Sequence, residues 1–346
     1  MDRKRILVTG GAGFIGSQLH NRLMANHDVV MIDNFNNHLY KNKLKVKRRD
    51  HFRLPTWAEI DIRSNSLWEH VFTNSDQAIA DPKRRADDTK YGFDYIIHLA
   101  AHAGVRDSFG KEGEYHSNNI DGTQCMIDFI NQLRPEDRPK VIYASTSSVY
   151  GGTPITEDGW KEDNVQAHQL NAYAYTKYVN ECQFKISGIE NVGLRFFTVY
   201  GPWGRPDMAL FQFTKKILAG EPIDVYNYGD MKRDFTYIED ILDGIEIVLK
   251  NFDSGEIESN EIFNIGRGEQ VNLLDFIKSI EQNCGKKAIM NMVPKHPADT
   301  TETWSNTEKL QAFGYKPKVS IEHGVTNFYQ WYAEWIPKIG DVTNGR

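Results

Sequence analysis

The segment Thr9-Gly10-Gly11-Ala12-Gly13-Phe14-Ile15-Gly16 constrains this chain more than any other. The run Arg5 to Val8, mostly apolar, leads straight into it, and Leu19, Leu23 and Met24 then recur at helical spacing. Strand, glycine turn and helix in that order open a βαβ unit. Gly10 and Gly11 permit a turn that side chains would block. Gly13 lets backbone N–H groups approach a pyrophosphate, and Gly16 lets the helix pack closely on the strand. The helix N-terminus adds partial positive charge for the phosphates. A second apolar run, Val29 to Ile32, closes on Asp33. An acid there accepts hydrogen bonds from adenosine ribose hydroxyls and repels a 2′-phosphate, so the turn is read as a site for NAD rather than NADP.

Further apolar runs cover Tyr95 to Leu99, Val141 to Ala144 and Val192 to Phe197, with helix-like segments such as Met126 to Leu133 and Asn180 to Ile186 between them. Strands alternating with helices predict an α/β chain with a Rossmann-type doubly wound parallel sheet and right-handed crossovers. Beyond about residue 200, Pro202, Gly204, Pro206, Gly220, Pro222 and Gly229 punctuate the chain. Short mixed elements follow, among them Phe263 to Gly266 and a helix over Leu273 to Cys284. The expected division is a Rossmann domain over 1–190 and a smaller mixed α/β substrate domain over 191–346. The chain is expected to return to the first domain around 230–252.

Composition narrows the function classes. A length of 346 residues suits two domains. A net charge of −6 argues against a nucleic-acid binder, which carries a basic excess. No stretch approaches the ~18 apolar residues of a membrane span. The N-terminal apolar run is too short for a secretory signal. Cys125, Cys182 and Cys284 lack the paired spacing of a disulfide framework or zinc site. A cytoplasmic soluble protein without a metal is expected. Lys41 to Arg53 holds seven basic residues and is read as a solvated helix and loop. The polar stretch Ser75 to Tyr91 is read as a surface insertion.

Tyr173-Ala174-Tyr175-Thr176-Lys177 sets a phenol and an ammonium four residues apart, on one face of a helix. A phenol titrating near 10 is a poor base at neutral pH. A nearby ammonium and the positive nicotinamide ring favour the phenolate. Ser145-Thr146-Ser147-Ser148-Val149-Tyr150-Gly151 follows a strand, at the carboxyl end where ligands bind in such sheets. A hydroxyl there can hydrogen-bond the oxygen that Tyr173 deprotonates. His98-Leu99-Ala100-Ala101-His102-Ala103-Gly104 ends another strand in small residues, which leave room for a cofactor.

The glycine turn, Leu99-Ala100-Ala101, Asn119-x-x-Gly122-Thr123, the Ser/Thr segment before Val149-Tyr150-Gly151 and the Tyr173/Lys177 pair occur in one order. From Ile6 to about Trp335 the chain resembles the extended short-chain dehydrogenase/reductases of the nucleotide-sugar epimerase/dehydratase family. Leu194 to Met208 and Gly229 to Tyr237 resemble the UDP-glucuronate 4-epimerases among them. The resemblance implies an isomerase with Thr146, Tyr173 and Lys177 as catalytic residues. It implies NAD held tightly and recycled by Gly10, Gly13, Phe14, Ile15, Gly16, Asp33, Asp61, Ile62, Leu99, Ala100 and Ala101, together with Tyr173 and Lys177. The implied reaction is inversion at C4 of a UDP-sugar through a transient 4-keto sugar, with UDP-glucuronate and UDP-galacturonate as the leading pair.

For the substrate the resemblance implies Ser147, Ser148, Thr198, Arg205, Tyr226, Arg233 and Asp299. Arg205 would meet the C5 carboxylate, with Arg106 a rival for that role. Arg233 would meet the diphosphate, Asp299 would lie near the nucleotide, and Tyr226 would cover the uracil. Decarboxylating relatives carry Glu where Ser148 stands, and dehydrating relatives carry Asp-Glu at Ser147-Ser148. Hydroxyls at both positions lack the acid–base group those reactions use. The alternatives are a 4-epimerase of UDP-glucose or UDP-N-acetylglucosamine, a UDP-glucuronate decarboxylase, or a non-catalytic NAD-binding scaffold. A homodimer is also implied, although the stretch from Lys177 to Leu194, whose helix helps form it in that family, is shorter here.

Overall fold

Six strands, β1 (Arg5–Thr9), β2 (Asp28–Ile32), β3 (Tyr95–His98), β4 (Lys140–Thr146), β5 (Asn191–Phe196) and β6 (Glu261–Ile265), form one sheet in the order β6-β5-β4-β3-β1-β2. Every neighbouring pair is parallel. The computed structural model describes residues 1–54, 59–73, 92–166, 168–297 and 299–343. Alternate strand residues part into two apolar cores. Ile6, Val8, Ile97 and Ile142 face one, and Leu7, Ile96, Val141 and Tyr143 face the other. A sheet covered on both faces needs apolar residues at every position, which is why the sequence shows continuous runs rather than alternation.

The strand order turns at β1, with β2 on one side and β3 on the other. The glycine turn leaves β1 at this switch point, where such sheets open a crevice. Gly10 sits at φ +68°, and a Cβ there would stand 2.9 Å from the Ala100 amide nitrogen. At Gly16 a Cβ would stand 2.4 Å from the Gly10 carbonyl oxygen. Both approaches require glycine. The helix α1 (Phe14–Leu23) begins at once.

The second lobe holds three short two-stranded sheets, pairing Pro222–Tyr226 with Ile289–Val293, Thr198–Tyr200 with Phe235–Tyr237, and Lys232–Arg233 with Val271–Asn272. Its longer helices are Ala209–Ala219, Leu273–Cys284 and Ile321–Ile339. One continuous apolar cluster runs from Ile6 and Val8 through Phe211 and Phe276 to Phe328 and Trp331, so the lobes share a core.

Two sequence readings need correction, the division at 190 and the basic run. The division at 190 falls one strand early, because β5 belongs to the large sheet. The return expected around 230–252 is the helix Ile238–Ser254, whose Glu239 and Glu246 pair with Arg22 of α1 at 3.1 and 2.6 Å. The returning strand, β6, comes only afterwards. The basic run is not simply solvated. In the helix α2 (Lys43–His51), Lys45 and Arg48 are buried. Arg48 donates to the Trp203 carbonyl at 3.1 and 2.7 Å, to the Ala12 carbonyl at 3.3 Å and to Tyr40 Oη at 2.7 Å. Charge counting misses this because a guanidinium can be buried once its donors are matched. The polar stretch 75–91 lies outside the described residues. Among the described residues no helix is long and apolar enough to cross a membrane.

Candidate active site

The crevice above β1 is built from short backbone braces. Gly13 donates to the Gly10 carbonyl at 2.9 Å, and Gly13 caps α1 with no side-chain cap bond, leaving first-turn N–H groups for an anion. Phe14 is buried at the start of α1 beside Ile15 and Gly16. Asp33 is buried at the end of β2. Its carboxylate accepts from the amides of Ala12 and Phe35 at 3.2 and 2.8 Å and pairs with Lys45 Nζ at 3.1 Å. Leu99 and Ala100 are strapped to Thr9, the first through its carbonyl at 3.2 Å and the second through its hydroxyl at 3.1 Å. That hydroxyl also meets His98 Nδ1 at 2.8 Å. Ala101 continues this half-buried segment. Asp61 is held below the ordinary carboxylate range by its bonds from Arg63, at 2.8 Å from Nε. Ile62 turns into the sheet's second core, and its carbonyl accepts from Trp68 Nε1 at 2.8 Å.

The base and its partners come from two elements. Thr146 is the last residue of β4, in extended conformation, and its hydroxyl oxygen accepts from the Ser148 amide at 3.2 Å. Ser147 and Ser148 follow in a short turn and are half-buried. The helix α3 (Ala172–Ile186) starts at Asn171, whose side chain caps the Ala174 amide at 2.9 Å. This places Tyr173 in the first turn and Lys177 one turn on. The ring of Tyr173 lies edge-on to Tyr115 with centroids 6.3 Å apart, and its phenol is close enough to the Thr146 side chain to feel it. Burial pushes the phenol above its usual value; the Thr146 side chain and the charge of Arg205 oppose that shift. Arg205, expected at the substrate carboxylate, also acts on the base, a link that residue spacing does not show.

Lys177 is 2% exposed. Burial pushes it down to about 8, against the pull of Glu181. The ammonium is therefore present below that pH and lost as pH rises through it. A fall in turnover on the alkaline side, with an apparent pKa near 8, is the expected outcome of a kcat–pH profile. A profile flat to pH 10 would separate Lys177 from the chemistry.

Two groups of polar side chains frame the rest of the crevice. Arg205 acts electrostatically on both Tyr173 and Tyr115. It is forked onto Asp207, with Nε 3.1 Å from Oδ1, and Nη1 takes no part in that pair. Thr198 lies at the start of its short strand, its amide on the Asp234 carbonyl at 3.1 Å. The second group joins Arg106, Tyr226, Asp299 and Arg233. Arg106 reaches Asp299 at 3.3 and 2.6 Å, and its guanidinium carbon stands 3.8 Å above the Tyr226 ring centre. Arg233 donates to the carbonyls of Lys232, Thr301 and Thr300 at 2.9, 2.9 and 2.6 Å. The structure thus groups Arg106 with the residues expected at the nucleotide and leaves Arg205 beside the base.

Residues 6–266 match the model of the NAD dependent epimerase/dehydratase family. The chain belongs to that family. It is an NAD-dependent epimerase, an isomerase. A probable UDP-glucuronate 4-epimerase of Rhizobium meliloti (strain 1021) is 34% identical over 95% of this chain and 97% of its own. UDP-glucuronate 4-epimerase 2 of Arabidopsis thaliana is 34% identical, covering 97% of this chain and 77% of its own. Among solved structures, the UDP-glucuronic acid 4-epimerase from Bacillus cereus in complex with UDP-glucuronic acid and NAD has a TM-score of 0.79 at 33% identity. That likeness covers 95% of this chain and 99% of that one.

The epimerase's own residues fit NAD. The uncapped first turn of α1, the small Ala100-Ala101 wall and the buried acid at Asp33 are the anion, ring and ribose partners such a cofactor needs. Behind the base lies a network that residue spacing did not reveal. Glu181, on α3, accepts from Ser145 Oγ at 2.5 Å and from Arg195 Nε and Nη2 at 2.9 Å each. Arg195 also donates to Tyr150 Oη at 3.0 Å and the Glu162 carbonyl at 2.7 Å. Asn119, quoted above only as a motif residue, bonds the His102 amide and carbonyl at 2.7 and 2.9 Å and Thr176 Oγ1 at 2.9 Å. It ties the cofactor wall to the helix that carries the base.

Proposed function

We propose that this epimerase inverts C4 of a UDP-sugar and that the sugar is UDP-glucuronate, giving UDP-galacturonate reversibly. The observation that carries the reading is a guanidinium, Arg205, in the field of the base Tyr173, beside a cup of hydroxyls, Thr146, Ser147 and Ser148, with no acid among them. The relatives that are UDP-glucuronate 4-epimerases support the same substrate.

NAD, when bound, supplies the hydride acceptor and donor. Tyr173 takes the proton from the C4 hydroxyl as that carbon is oxidised and returns it after the keto sugar has turned over. Thr146 holds the same oxygen. Lys177, as an ammonium, favours the phenolate. Arg233 binds the diphosphate, Asp299 and Tyr226 the uridine end, and Arg205 the C5 carboxylate through a charge-assisted bond. The keto sugar is a β-keto acid, which loses carbon dioxide when its C5–carboxylate bond lines up with the carbonyl π system. Arg205, Thr198 and the two serines hold the carboxylate out of that alignment. The working unit is a cytoplasmic homodimer, to be checked by light scattering.

Incubation with UDP-glucuronate, followed by proton NMR, is expected to give UDP-glucuronate and UDP-galacturonate without UDP-xylose. Turnover of UDP-glucose or UDP-N-acetylglucosamine alone would move the substrate to a neutral sugar. Arg205→Met is expected to lower kcat/KM for the uronate on the order of 10²-fold, the worth of a lost bond to a charged group. Equal losses on uronate and neutral sugars would remove Arg205 from carboxylate binding.

A further inference from the structure

His38, His102 and Glu114 meet beside the crevice, although the sequence gives them no shared motif and the expectation was of no metal. His38 lies in the loop beyond Asp33, His102 just after Ala101, and Glu114 on the short helix Glu112–Tyr115. One potential ligand atom from each lies within 4.8 Å of the other two. The two imidazoles are stacked, with centroids 3.9 Å apart and planes 9° from parallel. His102 Nδ1 is buried and has no hydrogen-bond partner. His38 presents Nδ1 to Glu114 Oε2 at 3.8 Å, while its Nε2 stands 3.1 Å from Tyr115 Oη and 3.3 Å from Asp107 Oδ2. A carboxylate behind an imidazole is the usual support of a histidine that ligates through its other nitrogen.

We propose that His38, His102 and Glu114 bind a first-row divalent cation, Zn2+ in the first instance. Two imidazoles and one carboxylate suit zinc, and three protein ligands leave a fourth position for water. Mg2+ and Ca2+ prefer all-oxygen shells and are excluded by the same set. Zinc–nitrogen bonds of ~2.0–2.1 Å require the ligand atoms to close by roughly an ångström. The exposed Glu114 side chain and ring rotation supply that movement. Lys45 and Arg63 act on the site and weaken it, and Lys111 pairs with Asp107 at 3.2 Å; Asp61 and Glu114 offset them. Bound metal would also reach the base, because Tyr115 touches both His38 and Tyr173. Binding of the cation does not depend on which sugar the enzyme turns over.

The test is equilibrium dialysis of the NAD-loaded enzyme against Zn2+, after removal of metal with a chelator, with zinc read by atomic emission. One zinc per chain at micromolar free metal is expected, with Co2+ giving the visible absorption of a nitrogen-ligated site. Glu114→Gln leaves an exposed position and a neutral oxygen, so folding and basal turnover are expected to hold while zinc binding weakens roughly tenfold or more. His102→Gln is expected to abolish the one-to-one site, with bound NAD and the thermal midpoint reporting that the chain is folded. Failure to retain zinc at tens of micromolar would overturn the site. So would one-to-one binding unchanged in both variants.

Discussion

Tyr173→Phe is expected to cut turnover by about 10³-fold while NAD stays bound, within the range that a positioned acid–base group contributes. The substitution removes one oxygen and keeps the ring that packs against Tyr115. It takes away the only group in the cup that can carry the C4 proton out and back. Thr146, Ser147 and Ser148 keep their hydroxyls, but a hydroxyl titrates too high to serve as the base. Bound cofactor, measured after denaturation, is expected at one NAD per chain in both proteins. The rate of C4 inversion is read by NMR on UDP-glucuronate. Turnover within tenfold of the parent enzyme would sink the assignment of Tyr173.

The second large effect is on stability. Arg195→Met leaves the Glu181 carboxylate buried, with Ser145 Oγ as its remaining close bond among those described above. Removing one member of a buried pair costs about 3–5 kcal/mol, because the surviving charge has lost both water and its partner. Glu181→Gln together with Arg195→Met removes both charges and is expected to recover a large part of that loss. Denaturant titrations of the two variants and the parent give the comparison. A single variant as stable as the parent would mean that water or another cation already serves Glu181. The pair also stands behind the site, since Glu181 is the charge that opposes the effect of burial on Lys177.

The parts legible in the sequence are those set by neighbours along the chain. Continuous apolar runs gave five strands within a residue or two, because a sheet covered on both faces admits little else. The glycine turn announced itself through residues six apart, and Tyr173 and Lys177 through one turn of helix. What spacing could not supply was position across the fold. Arg106 and Asp299 meet over 193 residues, and only the way the second lobe folds onto the first brings them together. The same holds for Arg205 beside Tyr173. Arg48 looked like one charge in a solvated run, yet it bridges Ala12 and Trp203 in the interior. Burial of a cation depends on carbonyls that arrive from elsewhere, and no local pattern marks them. Resemblance to a family named the substrate residues; the fold then sorted them into one group at the base and one around Arg106.

The late arrival of β6 has a consequence for biosynthesis. As the chain leaves the ribosome, β5 is complete at Phe196 and can pair with β4, but the strand that covers its outer edge begins at Glu261. Until then the outer edge of β5 presents unpaired backbone groups to any other nascent strand. The first half of the protein cannot finish folding before most of the second has been made. A chain stalled between these points is the species most exposed to self-association, and it is there that a chaperone would have the most to protect.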